Sequence, residues 1–398
     1  MKYNFIAVCI VIALLFNGCQ KKEPTMSKVE TTAEVEKVNP HVKELQKKYA
    51  PDKRTAIFNI TVVEKGSSLV VRGEVTSSEA KKELLGQFGA DKKEIVDSVE
   101  ILPSENLGDK TWGIITVSVA NMRVDPAERA ELASQTLMGT VVRLWKKKNG
   151  YAYIQTPDKY LGWADEDQLH RVTSKEADEW NSAKKVFATT LYDVVRQQPT
   201  VNAYPVCDVA GGDVFKNFGK SGEWIKVGLA DGRAGYIQKS STIDFADWGA
   251  TLHPVADNIE RTGKNLMGVP YLWGGTSIKG VDCSGFTKTV FLLNGQLLNR
   301  DASQQVNEGA AVEPGKNFEN LRKGDLVFFG TKADGTKPEH IVHVGIYLAN
   351  REFIHSSGLN GRVAVNSFDP ASPIFSDYNL NRFVRARRVI AGGDVKVR

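Results

Sequence analysis

Two stretches of this chain repeat one pattern, and the repeat limits the fold more than any other feature. In the first, Gly139-Thr-Val-Val leads to Gly150-Tyr-Ala-Tyr-Ile-Gln-Thr and then to Asp158-Lys-Tyr-Leu-Gly-Trp-Ala. In the second, Gly212-Asp-Val-Phe leads to Gly222-Glu-Trp-Ile-Lys-Val and then to Asp231-Gly-Arg-Ala-Gly-Tyr-Ile. Short alternating strands joined by Gly and Asp turns make small all-β barrels. Two such units cannot fill 398 residues, so further domains are required.

The rest of the chain divides by composition. Lys2 and the apolar run Phe5–Phe16 read as a signal peptide over residues 1–18. Residues 19–48 are polar and rich in Lys and Glu, which suits a tether. Residues 49–108 carry two strand-like runs, Ala56–Val63 and Leu69–Val75, a helix over Ala80–Phe88 and a strand over Val96–Leu102. They predict a small α/β module of unassigned role. The barrels occupy 109–172 and 186–248, with a linker helix capped by Ser174 over 173–185. Residues 249–398 hold a helix at Ala256–Met267 and later short apolar runs bounded by turns, an α+β pattern. The net charge of +5 comes from 52 basic and 47 acidic residues spread along the chain. No basic block points to nucleic acid.

The chemistry concentrates between Tyr271 and Thr287, Y-L-W-G-G-T-S-I-K-G-V-D-C-S-G-F-T. A Gly-rich turn precedes Cys283, and the apolar run Phe286–Leu293 predicts a helix after it. Free N–H groups and the dipole at a helix start favour a thiolate and lower the thiol pKa. The alternative is a buried cysteine packing as a small hydrophobe. Of the four cysteines, Cys9 lies in the signal and Cys19 follows it. Cys207 and Cys283 remain, too few for a disulfide framework. We expect Cys283 free and Cys207 buried.

A nucleophilic cysteine needs a histidine base and a third polar group to orient it. His343 opens the strand H-V-G-I-Y, and His355 lies in the next one, F-I-H-S-S. His340, in a charged loop, is the weaker candidate. One Cys and two His could also hold zinc, but no fourth ligand is evident. Neither metal nor cofactor is expected.

The Gly-aromatic repeats resemble bacterial SH3 domains. The order Y-L-W-G-G, D-C-S-G-F, R-D-A-S-Q-Q, K-G-D-L-V-F-F, H-V-G-I-Y and F-I-H-S-S resembles the NlpC-type cysteine peptidases, whose core is papain-like. The resemblance implies a triad of Cys283, His343 and His355, with Tyr271 helping to hold the oxyanion. Together with the two barrels it resembles a narrower group, the γ-D-glutamyl-L-diamino acid endopeptidases. These cut cell-wall stem peptides that begin with a free L-Ala. From that group come the implied substrate contacts Asp301, Ser284, Trp273, Ala302 and Ser303, and from the first barrel Glu131 and Tyr160. The bland alternatives are a solvated helix carboxylate for Glu131 and barrel packing for Tyr160. L-F-N-G-C resembles a lipoprotein signal, with Cys19 acylated and the chain exported to the cell envelope. The implied partners are muropeptides or peptidoglycan stem peptides and a membrane reached through the lipid; the chain itself would be a monomer. Competing expectations are a D,L-endopeptidase of intact peptidoglycan and a non-catalytic wall-binding lipoprotein.

Overall fold

The computed structural model describes residues 39–88, 94–248, 250, 252 and 254–390. The expected signal peptide, the lipid site Cys19, residues 19–38 of the tether and His253 lie outside them. Among the described residues, no helix is long and apolar enough to cross a membrane.

The first unit is built on a three-stranded sheet. A hairpin of β1 (Phe58–Lys65) and β2 (Ser68–Val75) is followed by α2 (Ser78–Phe88) and by β3 (Glu94–Ile101), which runs parallel to β2. An earlier helix, α1 (Pro40–Tyr49), corrects the expected tether boundary. Its Val42 and Leu45 are buried with Leu84 and Phe88 of α2, so residues 40–48 belong to this core. The i, i+3 spacing of that apolar pair puts both on one helix face.

Two seven-stranded antiparallel sheets follow. The first contains β4 (Trp112–Ile115), β5 (Val119–Arg123), β6 (Leu132–Leu137), β7 (Val141–Lys148), β8 (Tyr151–Gln155), β9 (Leu161–Asp165) and β10 (Leu169–Val172), in the order β10-β4-β7-β8-β9-β5-β6. The second contains β11 (Lys185–Ala188), β12 (Tyr192–Arg196), β13 (Pro205–Ala210), β14 (Val214–Ser221), β15 (Trp224–Gly228), β16 (Ala234–Gln238) and β17 (Thr242–Asp244). Its order, β17-β11-β14-β15-β16-β12-β13, is the same once the strands are matched one to one. The likeness reaches individual bonds. Arg123 Nη1 donates to Ala130 O at 2.8 Å, and Arg196 Nη1 to Ala203 O at 2.9 Å. In each case the arginine also bridges to an aromatic residue of a later strand, Trp163 or Tyr236.

The helix between the sheets, α3 (Ser174–Ser182), is capped by Thr173 rather than by Ser174. The Thr173 hydroxyl accepts the Glu176 N–H while the Glu176 carboxylate accepts the Thr173 N–H. This reciprocal box satisfies two donors at once, whereas a Ser174 cap would shift the register and lose it. Asp213, fully buried, joins the two sheets by accepting the N–H groups of Met138 and Ala210. Cys207 is free but only half-buried, less enclosed than expected.

The last unit begins with α4 (Ala256–Asn265) and a small hairpin, β18 (Thr276–Ser277) and β19 (Gly280–Val281). Next come α5 (Cys283–Leu292), the short α6 (Ala302–Gln305), β20 (Ala310–Val312), β21 (Leu326–Thr331), β22 (His340–Tyr347), β23 (Glu352–Ser357) and β24 (Arg362–Ser367). The one-and-a-half-turn α7 (Asp377–Arg382) leads into β25 (Phe383–Arg388). The six longer strands form an antiparallel sheet, β20-β25-β21-β22-β23-β24, and α5 packs on β22 and β23. Nearly every residue of α5 is buried, Ser284, Thr287 and Thr289 included, because the helix is enclosed on every side. Phe286 and Val290 meet the sheet, while Leu292 packs with Phe187 and Trp248 of the preceding unit.

Candidate active site

Cys283 is the first residue of α5, where the sequence places it. Asp282 caps the helix through Gly285 N–H at 2.7 Å, and its other oxygen accepts Gly274 N–H at 3.0 Å. The glycines before and after the cysteine are steric necessities. A Cβ on Gly285 would lie 1.9 Å from Gly275 O, and one on Gly274 would lie 2.2 Å from Leu132 O in the first barrel-like sheet. The motif thus presses the turn that carries Cys283 against the neighbouring unit.

The environment of the sulfur overturns one expectation. Cys283 is buried, and burial pushes its thiol up to about 12, helped by the adjacent Asp282 charge. The main-chain N–H groups of Val344 and Ser284 pull the other way and do not win. Desolvation of the anion outweighs the helix terminus here. Burial likewise holds His343 well below the ordinary imidazole value. Burial thus disfavours the charged form of both the thiol and the imidazole.

A chain of hydrogen bonds fixes the tautomers. Asn366 Nδ2 donates to Ile374 O at 3.2 Å, which turns Asn366 Oδ1 towards His355. That oxygen can only accept, so His355 Nε2 carries a proton and donates to it at 2.8 Å. His355, held neutral with its pKa down to about 4 by burial, then has a bare Nδ1. His343 Nε2–H donates to that nitrogen at 2.7 Å. His343 Nδ1 is left unprotonated, with a lone pair free to take a proton. Asn366 is a residue the sequence reading missed; its only signal is a polar residue at an alternating position of a strand beside His355. Three of the four ring nitrogens are engaged in this relay. Among the described residues no group of three or more His, Cys, Asp or Glu could hold a metal.

Tyr271 stands close enough to Cys283 that a charge on the sulfur helps push its phenol up to about 12, after burial. Beside the cysteine opens a pocket of about 420 Å³ lined from three units of the chain. The last unit gives Trp273, Cys283, Ser284, Asp301, Ala302 and Ser303, and the exposed His340 lies at its rim. The first barrel-like sheet brings Glu131 and Tyr160 to the same pocket. Glu131 is not a helical carboxylate: it ends the turn before β6, and Trp273 Nε1 donates to it at 2.6 Å. Tyr160 is 8 % exposed, and its hydroxyl donates to Asp301 Oδ2 at 3.1 Å. The Ser284 hydroxyl is committed to the protein, accepting from Arg300 at 3.0 Å and lying 3.3 Å from Asp282. Ala302 is buried at the start of α6.

Two arginines absent from the sequence reading complete this end of the pocket. Arg54, from the N-terminal unit, holds Asp52 with two nitrogens at 2.8 and 2.7 Å. Its remaining nitrogen reaches Asp301 at 2.7 Å and Ser303 Oγ at 3.0 Å. Arg300, buried beneath, grips both oxygens of Asp282 at 3.2 and 2.6 Å and lies 3.7 Å from Asp301. Each arginine thus has a carboxylate of its own. Asp301 shares their outer contacts, and among the described residues no cation pairs with Glu131. Four carboxylates face two guanidiniums, an excess of negative charge.

Comparison with known proteins agrees with this geometry. Residues 268–388 match the NlpC/P60 family, and residues 122–169 match the bacterial dipeptidyl-peptidase Sh3 domain. A dipeptidyl-peptidase 6 of Lysinibacillus sphaericus is 28% identical over 66% of this chain and 93% of its own. A gamma-D-glutamyl-L-lysine dipeptidyl-peptidase of Bacillus cereus is 30% identical over 57% of this chain and 67% of its own. The crystal structure of an NlpC/P60 family protein from Bacillus cereus covers 70% of this chain and 100% of its own, with a TM-score of 0.60 at 24% identity, and shares the fold. A cysteine at a helix start, a strand-borne histidine relay and these matches lead to one conclusion: the chain belongs to the NlpC/P60 family and is a cysteine peptidase.

Proposed function

We propose that the chain hydrolyses the γ-D-glutamyl-L-diamino acid bond of cell-wall stem peptides that begin with a free L-Ala. The observation that carries this reading is the surplus of carboxylate at the closed end of the pocket. Once Arg54 is neutralised by Asp52 and Arg300 by Asp282, Glu131 and Asp301 remain to face a substrate cation. An ammonium leaving water for a pocket must be paired, and two carboxylates with the Tyr160 hydroxyl suit it. Trp273 and Glu131 would form one wall of that subsite, and Ser303 and Ala302 the other. Ser284, bonded to Arg300 and Asp282, would shape the site rather than donate strongly to substrate.

Cys283 is the nucleophile. His343 Nδ1 takes the thiol proton as sulfur bonds to the substrate carbonyl carbon. The oxyanion is held by the Ser284 N–H with help from the Tyr271 hydroxyl; one such donor is typically worth roughly 10²–10³ in rate. The imidazolium returns its proton to the departing amine of the diamino acid, leaving a thioester. Water then attacks the thioester, giving its proton to His343, and Cys283 leaves as the thiol. His355 and Asn366 hold His343 in the tautomer that can accept. Burial disfavours the charged form of both partners, which favours a proton transfer that accompanies attack.

Relatives named for γ-D-glutamyl-L-lysine peptides support this substrate class. We place the chain in the cell envelope as a lipoprotein anchored at Cys19, acting in turnover of wall peptides. We read the second seven-stranded sheet, from its matching strand order, as a second SH3-like module. The test uses L-Ala-γ-D-Glu-L-Lys and its N-acetylated form, with products identified by mass. Release of L-Ala-D-Glu from the free peptide alone is expected. Equal cleavage of both would remove the free-amine reading and favour a D,L-endopeptidase of intact peptidoglycan.

A further inference from the structure

A second cleft, of about 610 Å³, opens between the two seven-stranded sheets. That is within the roughly 300–1,000 Å³ of small-molecule sites. It shares no lining residue with the pocket at Cys283. Three of the chain's seven tryptophans, Trp112, Trp145 and Trp180, line it. So do Arg143, Lys159 and Lys185, and among the described residues no carboxylate does. Arg143 lies 4.9 Å from the Trp112 ring and 5.5 Å from the Trp145 ring, and its guanidinium donates only to the Thr111 hydroxyl among the described residues. Lys185 is buried; it donates to the carbonyls of Trp180 and Asn181, and burial lowers it to about 8. The Trp145 indole N–H is buried without an acceptor.

These features describe a ligand by its complement. A buried and a half-buried cation without an acid call for an anion. An unmatched indole N–H calls for an acceptor. Flat indole faces suit the C–H face of a sugar ring. The Asn181 side-chain amide, also in the lining, offers a donor and an acceptor type, as hydroxyl groups require, while Gln155, whose N–H groups are both engaged, offers its Oε1 as an acceptor. We infer that this cleft binds an acidic sugar, a pyranose bearing a carboxylate, with its ring on the indoles and its charge on Arg143 and Lys185. The site works independently of the cysteine chemistry. It adjoins the pocket through one turn: Lys159 lines the cleft and Tyr160 lines the pocket. Gln155 Nε2 ties that turn to the N-terminal unit, donating to Lys159 O and Thr55 O at 2.8 Å each.

The test titrates the full chain with N-acetylmuramic acid, with N-acetylglucosamine, which lacks the carboxylate, and with AMP, following tryptophan fluorescence and heat of binding. The carboxylated sugar should bind at least about tenfold more tightly than the neutral one. Arg143→Gln should erase that preference, and Cys283→Ala should leave it intact, so a failed peptidase assay does not touch this result. Trp145→Phe, which keeps a ring and removes the N–H, should weaken binding severalfold and decides the matter if Arg143→Gln fails to fold. Equal affinity for the two sugars, tighter binding of AMP, or no binding at about 10 mM overturns the inference.

Discussion

The two ends of the catalytic pocket are built on opposite physical terms. At the end that holds the buried Cys283, the side chains of His343, His355 and Asn366 carry no formal negative charge and are ordered by a line of hydrogen bonds that starts at a backbone carbonyl. At the far end Arg54, Asp52, Arg300, Asp282, Asp301 and Glu131 are charged and cross-linked between three units. The lesson is a division of labour. The histidine end relies on uncharged hydrogen-bonding groups; the far end relies on charges, buried at Arg300 and Asp282 and more open at Arg54, Asp52 and Asp301.

That contrast can be broken by substitution, and the reacting end should respond most. Cys283→Ala should lower turnover of a cleavable peptide by at least ~10³ with its melting temperature little changed; a residual rate near wild type would place the nucleophile elsewhere. Next, Asn366→Ala should release the His355 tautomer and lower kcat by roughly 10–100-fold, with KM almost unchanged. A change confined to KM would show that the relay binds substrate and does not position His343. At the far end the split should invert. Glu131→Gln should raise KM for a free-amine peptide by about tenfold, the worth of one charge-assisted bond, and leave kcat nearly unchanged.

A smaller effect should appear in stability against pH. His343 and His355 are neutral when folded, with pKa values below the ordinary 6.5. The unfolded chain binds protons there and the folded chain does not, so their contribution is fully present above about 6.5 and fades as pH falls towards 4. Melting curves at pH 7.5, 5.5 and 4.5 should show the loss, and a His343→Gln, His355→Gln pair should flatten it. The smallest effect should come from Tyr204→Ala. Tyr204 occupies in the second sheet the place that Glu131 holds in the first, after the carbonyl gripped by the matching arginine. It is 80% exposed and far from this chemistry, so kinetics should not change.

What could be read in advance followed the range of the interactions. The helix at Cys283, the strand of His355 and the repeat of two sheets rest on local patterning, and they stand where the sequence puts them; the strand of His343 starts earlier than expected, at His340, which opens β22 instead of lying in a loop. Thr173 was within reach too, since Glu176 three residues on marks the box. The pKa of Cys283 was not, because a helix start is visible in sequence whereas burial is a property of the assembled core. Arg54 and Arg300 were harder still. Arg54 meets Asp301 across 247 residues, and nothing in the neighbourhood of either announces the other. The surplus charge that carries the functional proposal exists only after three units have docked.

Arg54 lies in a segment upstream of both regions that match known families. The wall of the pocket is thus modular. An added domain can be exchanged, trimmed or re-angled without disturbing the histidine relay, so substrate range can drift while the reaction stays constant. Relatives that share the cysteine and histidines but carry a different leading unit should differ in what they accept, and grafting residues 39–108 onto such a relative is a way to transfer a preference instead of a mechanism.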